Sequence, residues 1–308
     1  MNNDQTSVDV VIPSYRPDEK FSRLVKKLQE QEYPIGTIFV INTKAGRFPK
    51  EVEQMEKVKV YHIERREFDH GATRDMGMQM SKAEIVVFMT QDAVPADEYV
   101  IGNLVKVLEE DEMTGAAYAR QLAASDCNYI EKYTRKFNYP ENSRIKSKED
   151  LQEMGIKTFF CSNVCAAYKR NIYEKAGGFC KKTIFNEDMI LAGHMINAGY
   201  KVAYVAEARV IHSHNYTGMQ QFHRNCDMAV SQAEHPEVFD GIKSENEGIK
   251  LVKQTAAHLV KQRKIYMVPK LVYQSGCKYI GYRMGKMYKK LPDKVVKWCS
   301  MSPGYWEK

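Results

Sequence analysis

The residues in this chain with chemical potential stand at the ends of apolar runs. Asp92 lies in Thr90-Gln91-Asp92-Ala93, directly after Ile85-Val86-Val87-Phe88-Met89. That run reads as a buried strand, and in open α/β sheets ligands bind beyond the carboxyl ends of strands. A carboxylate there can hold a hard cation, which can neutralise a substrate's phosphates. A plain turn before Pro95 would account for an isolated Asp, so the weight comes from other clusters. His212 and His214 follow the run Arg209-Val210-Ile211 at a spacing of two, which puts both on one face of an extended chain. Asp92 with one of them makes a mixed carboxylate–imidazole set suited to Mg²⁺ or Mn²⁺. The plainer alternative is a surface histidine pair.

Three further clusters repeat the pattern. Glu187-Asp188 opens a helical stretch, where the helix dipole favours an anion; capping explains an acidic pair there equally well. Pro13-Ser14-Tyr15-Arg16 follows the run Val8 to Ile12, where a nucleotide base or ribose would lie in a doubly wound fold, and Tyr15 can stack on a base. In Phe68-Asp69-His70-Gly71-Ala72-Thr73-Arg74-Asp75, Gly71 permits close backbone approach and Arg74 suits a phosphate, while Asp69 is a natural helix cap. Neither GxxxxGK[ST] nor GxGxxG occurs, which excludes P-loop and dinucleotide-type phosphate binding.

The elements that must position these residues alternate. Strands are expected at Val8 to Ile12, Thr37 to Ile41, Val58 to Ile63 and Ile85 to Met89, with helices at Asp18 to Glu32 and Ala72 to Met80. Alternation of this kind implies a mostly parallel sheet with right-handed crossovers. The stretch from Ala123 to Ile156 is expected to be loop-rich. A helix from Glu187 to Ala198 stops at Gly199, Val202 to Val205 and Arg209 to Ile211 read as late strands, and Gln220 to Ala233 as a helix.

The 308 residues carry a net charge of +7, unevenly spread. Residues 243–308 hold 15 Lys/Arg against 4 Asp/Glu, a net +11, which leaves −4 on the first 242. A basic tail containing Trp298, Trp306 and several tyrosines suits an anionic surface. No apolar stretch approaches the roughly 20 residues that span a bilayer. The polar start Met1-Asn2-Asn3-Asp4-Gln5 lacks an export signal's layout, so a cytoplasmic protein is expected. The seven cysteines show no CxxC pair and are expected as free thiols.

Together these residues resemble the inverting nucleotide-sugar glycosyltransferases of family two, and among them bacterial dTDP-rhamnose-dependent rhamnosyltransferases. The resemblance rests on Val10-Val11-Ile12-Pro13-Ser14-Tyr15, the Phe68 to Asp75 cluster, Thr90-Gln91-Asp92-Ala93-x-Pro95, Ser162-Asn163, Gly178-Phe179, Glu187-Asp188 and His212-Ser213-His214-Asn215-Tyr216. It implies an α/β GT-A fold over 1–240 and a basic helical extension over 241–308. It implies Asp188 as catalytic base, with Glu187 orienting the site. Asp92 with His212 or His214 would bind the metal, although Gln91 and Ala93 leave Asp92 as its motif's only acid. Pro13, Tyr15, Arg16, Asn42, Asp69, His70, Gly71, Arg74 and Gln91 fall where the family binds nucleotide and diphosphate, and Arg120, Gln121, Ser162 and Asn163 near the sugar or acceptor. The implied reaction moves L-rhamnose, or a sugar from a UDP donor, to a lipid-linked saccharide in cell-surface polysaccharide assembly. The implied place is the inner face of the cell membrane, reached through the tail, and a homo-oligomer is compatible with it.

Two other classes compete. A nucleotidyltransferase would carry a Gly-rich loop where Pro13-Ser14-Tyr15-Arg16 stands. A non-enzymatic membrane- or nucleic-acid-binding protein would use the tail but leave Asp92, Glu187-Asp188 and the histidines without purpose, and the tail carries no nucleic-acid motif. No nucleic-acid partner is expected.

Overall fold

The computed structural model describes residues 5–242 and 245–307. Lys243 and Ser244, where the helical tail is expected to begin, lie outside the described residues, as do Met1 to Asp4 and Lys308. The chain forms two compact units. The first comprises 5–124, Tyr139–Lys182 and Glu187–His212; the second comprises Ser125–Asn138, Thr183–Asn186 and the rest from Ser213.

The first unit is built on one sheet. Its strands are β1 (Val8–Tyr15), β2 (Ile38–Thr43), β3 (Val58–Ile63), β4 (Ile85–Met89), β5 (Val94–Pro95), β6 (Thr114–Leu122), β7 (Arg144–Lys146), β8 (Cys165–Lys169) and β9 (Lys201–Ile211). They lie in the order β3-β2-β1-β4-β8-β6-β9-β5, with β7 also on β9. The four expected strands are all present. β1 to β4 pair in parallel, β8 runs antiparallel between β4 and β6, and β6 and β9 are parallel. Hence β1, β2, β4, β6 and β9 all end at the same edge of the sheet, and β8 begins there.

The apolar runs explain the buried centre. β2 and β4 are buried along their whole length, as strands covered on both faces must be. Asp9 interrupts β1, but its carboxylate accepts from Thr37 N at 2.7 Å and Ser81 Oγ at 2.6 Å, which offsets its burial. The helix His70–Met80 lies close on β1. A Cβ on Gly77 would stand 2.3 Å from Val11 Cγ1, so only glycine fits there.

Two expectations are corrected. Val202 to Val205 and Arg209 to Ile211 are parts of one strand, β9, whose register against β6 jumps from Ala119–Val205 to Arg120–Arg209. The stretch from Ala123 to Ile156 contains a helix, Tyr129–Asn138, the strand β7 and short helical turns. The helix was hidden because its apolar face is largely aromatic: Ile130 is buried with Leu259 and Leu271, and Tyr129 packs against them.

In the second unit, helix Val268–Lys286 packs on helix Gly218–Glu234. Gly281 and Gly285 make this possible, since a Cβ on either would meet the main-chain oxygen of Phe222 or Cys226 at 2.2 or 2.3 Å. Among the described residues no helix is long and apolar enough to cross a membrane. All seven cysteines are free, five of them buried.

Candidate active site

The shared edge of the sheet gathers most of the expected residues. Asp92 follows β4 and His212 follows β9, and they meet with His212 Nε2 3.5 Å from Asp92 Oδ2. His212 is buried, and its Nδ1 lies 3.0 Å from Gln121 Oε1 at the end of β6. Gln121 Nε2 donates to Ser162 Oγ at 2.9 Å, just before β8. His214 falls in the second unit, where its ring stacks on Tyr216 with centroids 4.9 Å apart.

A second group surrounds Asp188, at the start of helix Glu187–Asn197. The Asn163 main-chain N–H donates to Asp188 Oδ2 at 2.9 Å, and the Met189 N–H donates to Oδ1 at 2.8 Å. Asn163 Nδ2 donates to Glu187 Oε1 at 3.1 Å, and Tyr168 OH fixes the other end of that amide at 2.8 Å. Arg74 Nη1 lies 3.2 Å from Glu187 Oε1, with both side chains buried.

The electrostatics of the two acids diverge. Burial would raise both carboxyls. Glu187 is nonetheless held below the ordinary carboxylate range by the Arg74 and His70 charges and the Asn163 hydrogen bond. Asp188 is raised to about 7, first by burial and then by the Glu187 charge beside it. One acid thus stays ionised, and its neighbour is poised near neutrality. Paired carboxyls pushed apart in this way mark acid–base chemistry.

The other expected residues divide between exposed and inward-turned positions. Tyr15 is exposed, and Arg16, held in a left-handed conformation at φ 48°, lays its guanidinium 5.3 Å from the Tyr15 ring centroid. Pro13 is half-buried within β1. Gln91 turns back, accepting from Tyr15 N at 2.8 Å and donating to Tyr15 O at 3.0 Å, and so ties the tips of β1 and β4. Asn42 is buried between Ser14, 3.1 Å from Oδ1, and His62, 3.0 Å from Nδ2. Asp69 is the helix cap, accepting from Gly71 N and Ala72 N at 3.0 and 2.9 Å. His70 meets the Phe68 ring edge-on at 5.1 Å. Arg74 also donates to His70 O at 2.9 Å, while its buried Nε has no hydrogen-bond partner. Arg120 reaches Glu141 at 3.4 Å.

Sequence reasoning missed Tyr168 and Lys146. Tyr168 lies inside an apolar run and looks like core. Lys146 is fully buried in β7, donates to Lys157 O at 3.2 Å and to Phe160 O, and lies 4.9 Å from the Tyr118 ring centroid. Burial brings its amine down to about 7. It braces the segment leading into Ser162-Asn163, and no local pattern announces that role.

A mostly parallel sheet whose carboxyl edge carries a carboxylate–histidine pair and a perturbed acid is the arrangement of a GT-A glycosyltransferase. The pattern of glycosyl transferase family 2 matches residues 9–177, and the chain belongs to that family. It is 35% identical over 304 residues to the O-antigen chain rhamnosyltransferase RfbN of Salmonella typhimurium, covering 97% of this chain and 96% of that one. It is 33% identical over 305 residues to the O-antigen chain rhamnosyltransferase WbaN of Salmonella anatum, with the same coverage. The fold is shared with the Pyrobaculum calidifontis mannosyltransferase PcManGT, solved with GDP-Man and Mn²⁺, at a TM-score of 0.56 and 15% identity over 98% of this chain and 85% of that one. It is also shared with S. aureus TarS 1–349, at 0.53 and 11% over 92% and 91%.

Proposed function

We propose that this enzyme transfers L-rhamnose from dTDP-β-L-rhamnose, with inversion, to a hydroxyl of a lipid-linked saccharide in cell-surface polysaccharide assembly. The donor and pathway rest on its likeness to the two O-antigen chain rhamnosyltransferases. The observation that carries the chemistry is the divergence of Glu187 and Asp188 at the edge where Asp92 meets His212.

Asp188 takes the proton of the acceptor hydroxyl as its oxygen attacks the anomeric carbon. Glu187 keeps Asp188 basic and is itself kept ionised by Arg74. The unpartnered Arg74 Nε is the donor that suits a diphosphate oxygen. Tyr15, Arg16 and Asn42 are assigned to the nucleotide, with Gln91 holding the Tyr15 backbone in place. Asp92 and His212 would hold a divalent cation, Mg²⁺ or Mn²⁺, with His214 two residues along the chain as a further donor. A mixed oxygen and imidazole set fits such an ion. Bound there, the ion supplies positive charge for the leaving diphosphate.

The segment 1–240 is assigned to transfer and 241–308 to docking on the anionic inner leaflet. Support comes from Tyr266, Val272, Tyr279 and Ile280, which are exposed alongside the exposed Lys270 and Arg283. Incubating the enzyme with labelled dTDP-rhamnose or UDP-sugars, a lipid-linked acceptor and Mg²⁺ or Mn²⁺ tests this reading. Rhamnosyl product from the thymidine donor is expected. Product from UDP-sugars alone would displace rhamnose as the donor sugar.

A further inference from the structure

The His212 ring has a second contact whose consequence goes beyond the transfer reading, although it rests on the metal assignment made there. His212 Nδ1, Gln121 Oε1, Gln121 Nε2 and Ser162 Oγ form one buried line, with links of 3.0 and 2.9 Å. An amide oxygen only accepts. With Gln121 Oε1 facing it, a neutral His212 ring carries its hydrogen on Nδ1 and turns the Nε2 lone pair to Asp92 Oδ2 at 3.5 Å. A lone pair set against a carboxylate oxygen is repulsive unless a positive charge lies between them. Reversing the Gln121 amide would reverse the outcome, because its NH₂ would then put the hydrogen on Nε2 and close His212 onto Asp92. The tautomer thus decides between a cation site and a direct hydrogen bond from His212 to Asp92, and Gln121 decides the tautomer.

We propose that Gln121, packed between Ser162 and His212, is a positioning residue that holds His212 in its Nδ1–H form and thereby sets the divalent-cation affinity of the Asp92–His212 pair. Partners of this kind, one shell removed from a metal, are typically worth about 10–100-fold in affinity. Gln121 faces His212 and Ser162, so its effect should appear in metal binding before any substrate is added.

The test is Mn²⁺ titration of the full-length protein, followed by the electron paramagnetic resonance of the free ion. Gln121→Leu should weaken binding about 10–100-fold, and Ser162→Ala should weaken it less. Gln121→Glu should bind as the wild type does, because a carboxylate also accepts from Nδ1 and the Ser162 hydroxyl can donate to it. Long-range ¹⁵N NMR of the metal-free wild type should show His212 protonated on Nδ1. Wild-type affinity in a folded Gln121→Leu, or protonation on Nε2, would overturn the proposal. Gln121→Glu and the NMR reading keep it testable should Gln121→Leu fail to fold. If the wild type itself bound no Mn²⁺, the metal assignment would fail first and this inference with it; wild-type binding unaltered in Gln121→Leu would remove the inference alone.

Discussion

Arg74 and Glu187 form a buried ion pair, Nη1 to Oε1 at 3.2 Å, with side chains 7% and 8% exposed. Breaking such a pair leaves an uncompensated charge in the interior and typically costs about 3–5 kcal/mol. Glu187→Gln is therefore expected to lower the melting temperature markedly, measured by circular dichroism. Arg74→Met with Glu187→Gln should recover part of the loss, because no charge is then stranded.

The same carboxylate raises Asp188, so the two acids should be linked in the pH profile. As the proposed base, Asp188 must be deprotonated to accept the acceptor's proton, and it stands at about 7. Plots of kcat/KM against pH should rise through that value. In Glu187→Gln the like charge is gone, and the rising limb should move to lower pH. A limb that stays in place would separate Glu187 from the base.

Asp188→Asn should reduce kcat by about 10²–10⁴-fold, the usual contribution of a general base. Its stability relative to the wild type should depend on pH. The folded value lies above the unfolded carboxyl near 3.8, so the stabilising effect of the protonated form is complete below about 4 and is lost as pH rises through about 7. Above that pH the wild type buries a charge that the variant lacks. Raising the pH from about 5 to about 8 should therefore lower the melting temperature of the wild type relative to that of Asp188→Asn, measured by calorimetry.

Gly77→Ala tests the contact of helix His70–Met80 with β1. The added methyl would stand 2.3 Å from Val11 Cγ1, and overpacking of this kind costs about 1–3 kcal/mol. Val11→Ala should relieve the clash, so denaturant unfolding of the double variant should fall short of the summed losses. Simple additivity would mean that the helix shifts instead.

The tail's exposed aromatic and basic side chains predict salt-sensitive docking. Sedimentation with phosphatidylglycerol-containing vesicles should be strong at low salt and fall as ionic strength rises. Tyr279→Ser with Ile280→Ser should weaken it at any salt. Equal binding to neutral vesicles would remove charge from the explanation.

Much of this fold could be read in advance because parallel strands are buried on both faces and appear as unbroken apolar runs, as in Ile85 to Met89. The ends of those runs pointed to Asp92 and His212, and the acidic pair before a helix pointed to Asp188. What stayed hidden was the direction in which polar side chains turn. Gln121 and His212 are 91 residues apart in the chain, and only the parallel register of β6 and β9 makes them neighbours. Arg74 and Asn42 suit a ligand by residue type, yet each commits hydrogen bonds inward to partners that no local pattern predicts.

Gln91 grips residue 15 only through its main-chain N–H and C=O. The strand tip would be anchored equally well whatever ring or chain stood at that position. On the nucleotide-facing role proposed for Tyr15, evolution can therefore exchange this exposed residue for another side chain to suit a different nucleobase without loosening the scaffold beneath it. Substitutions at 91 have no such freedom, because they would untie the tips of β1 and β4. Drift in donor preference within this lineage should accordingly be written at 15 and silent at 91.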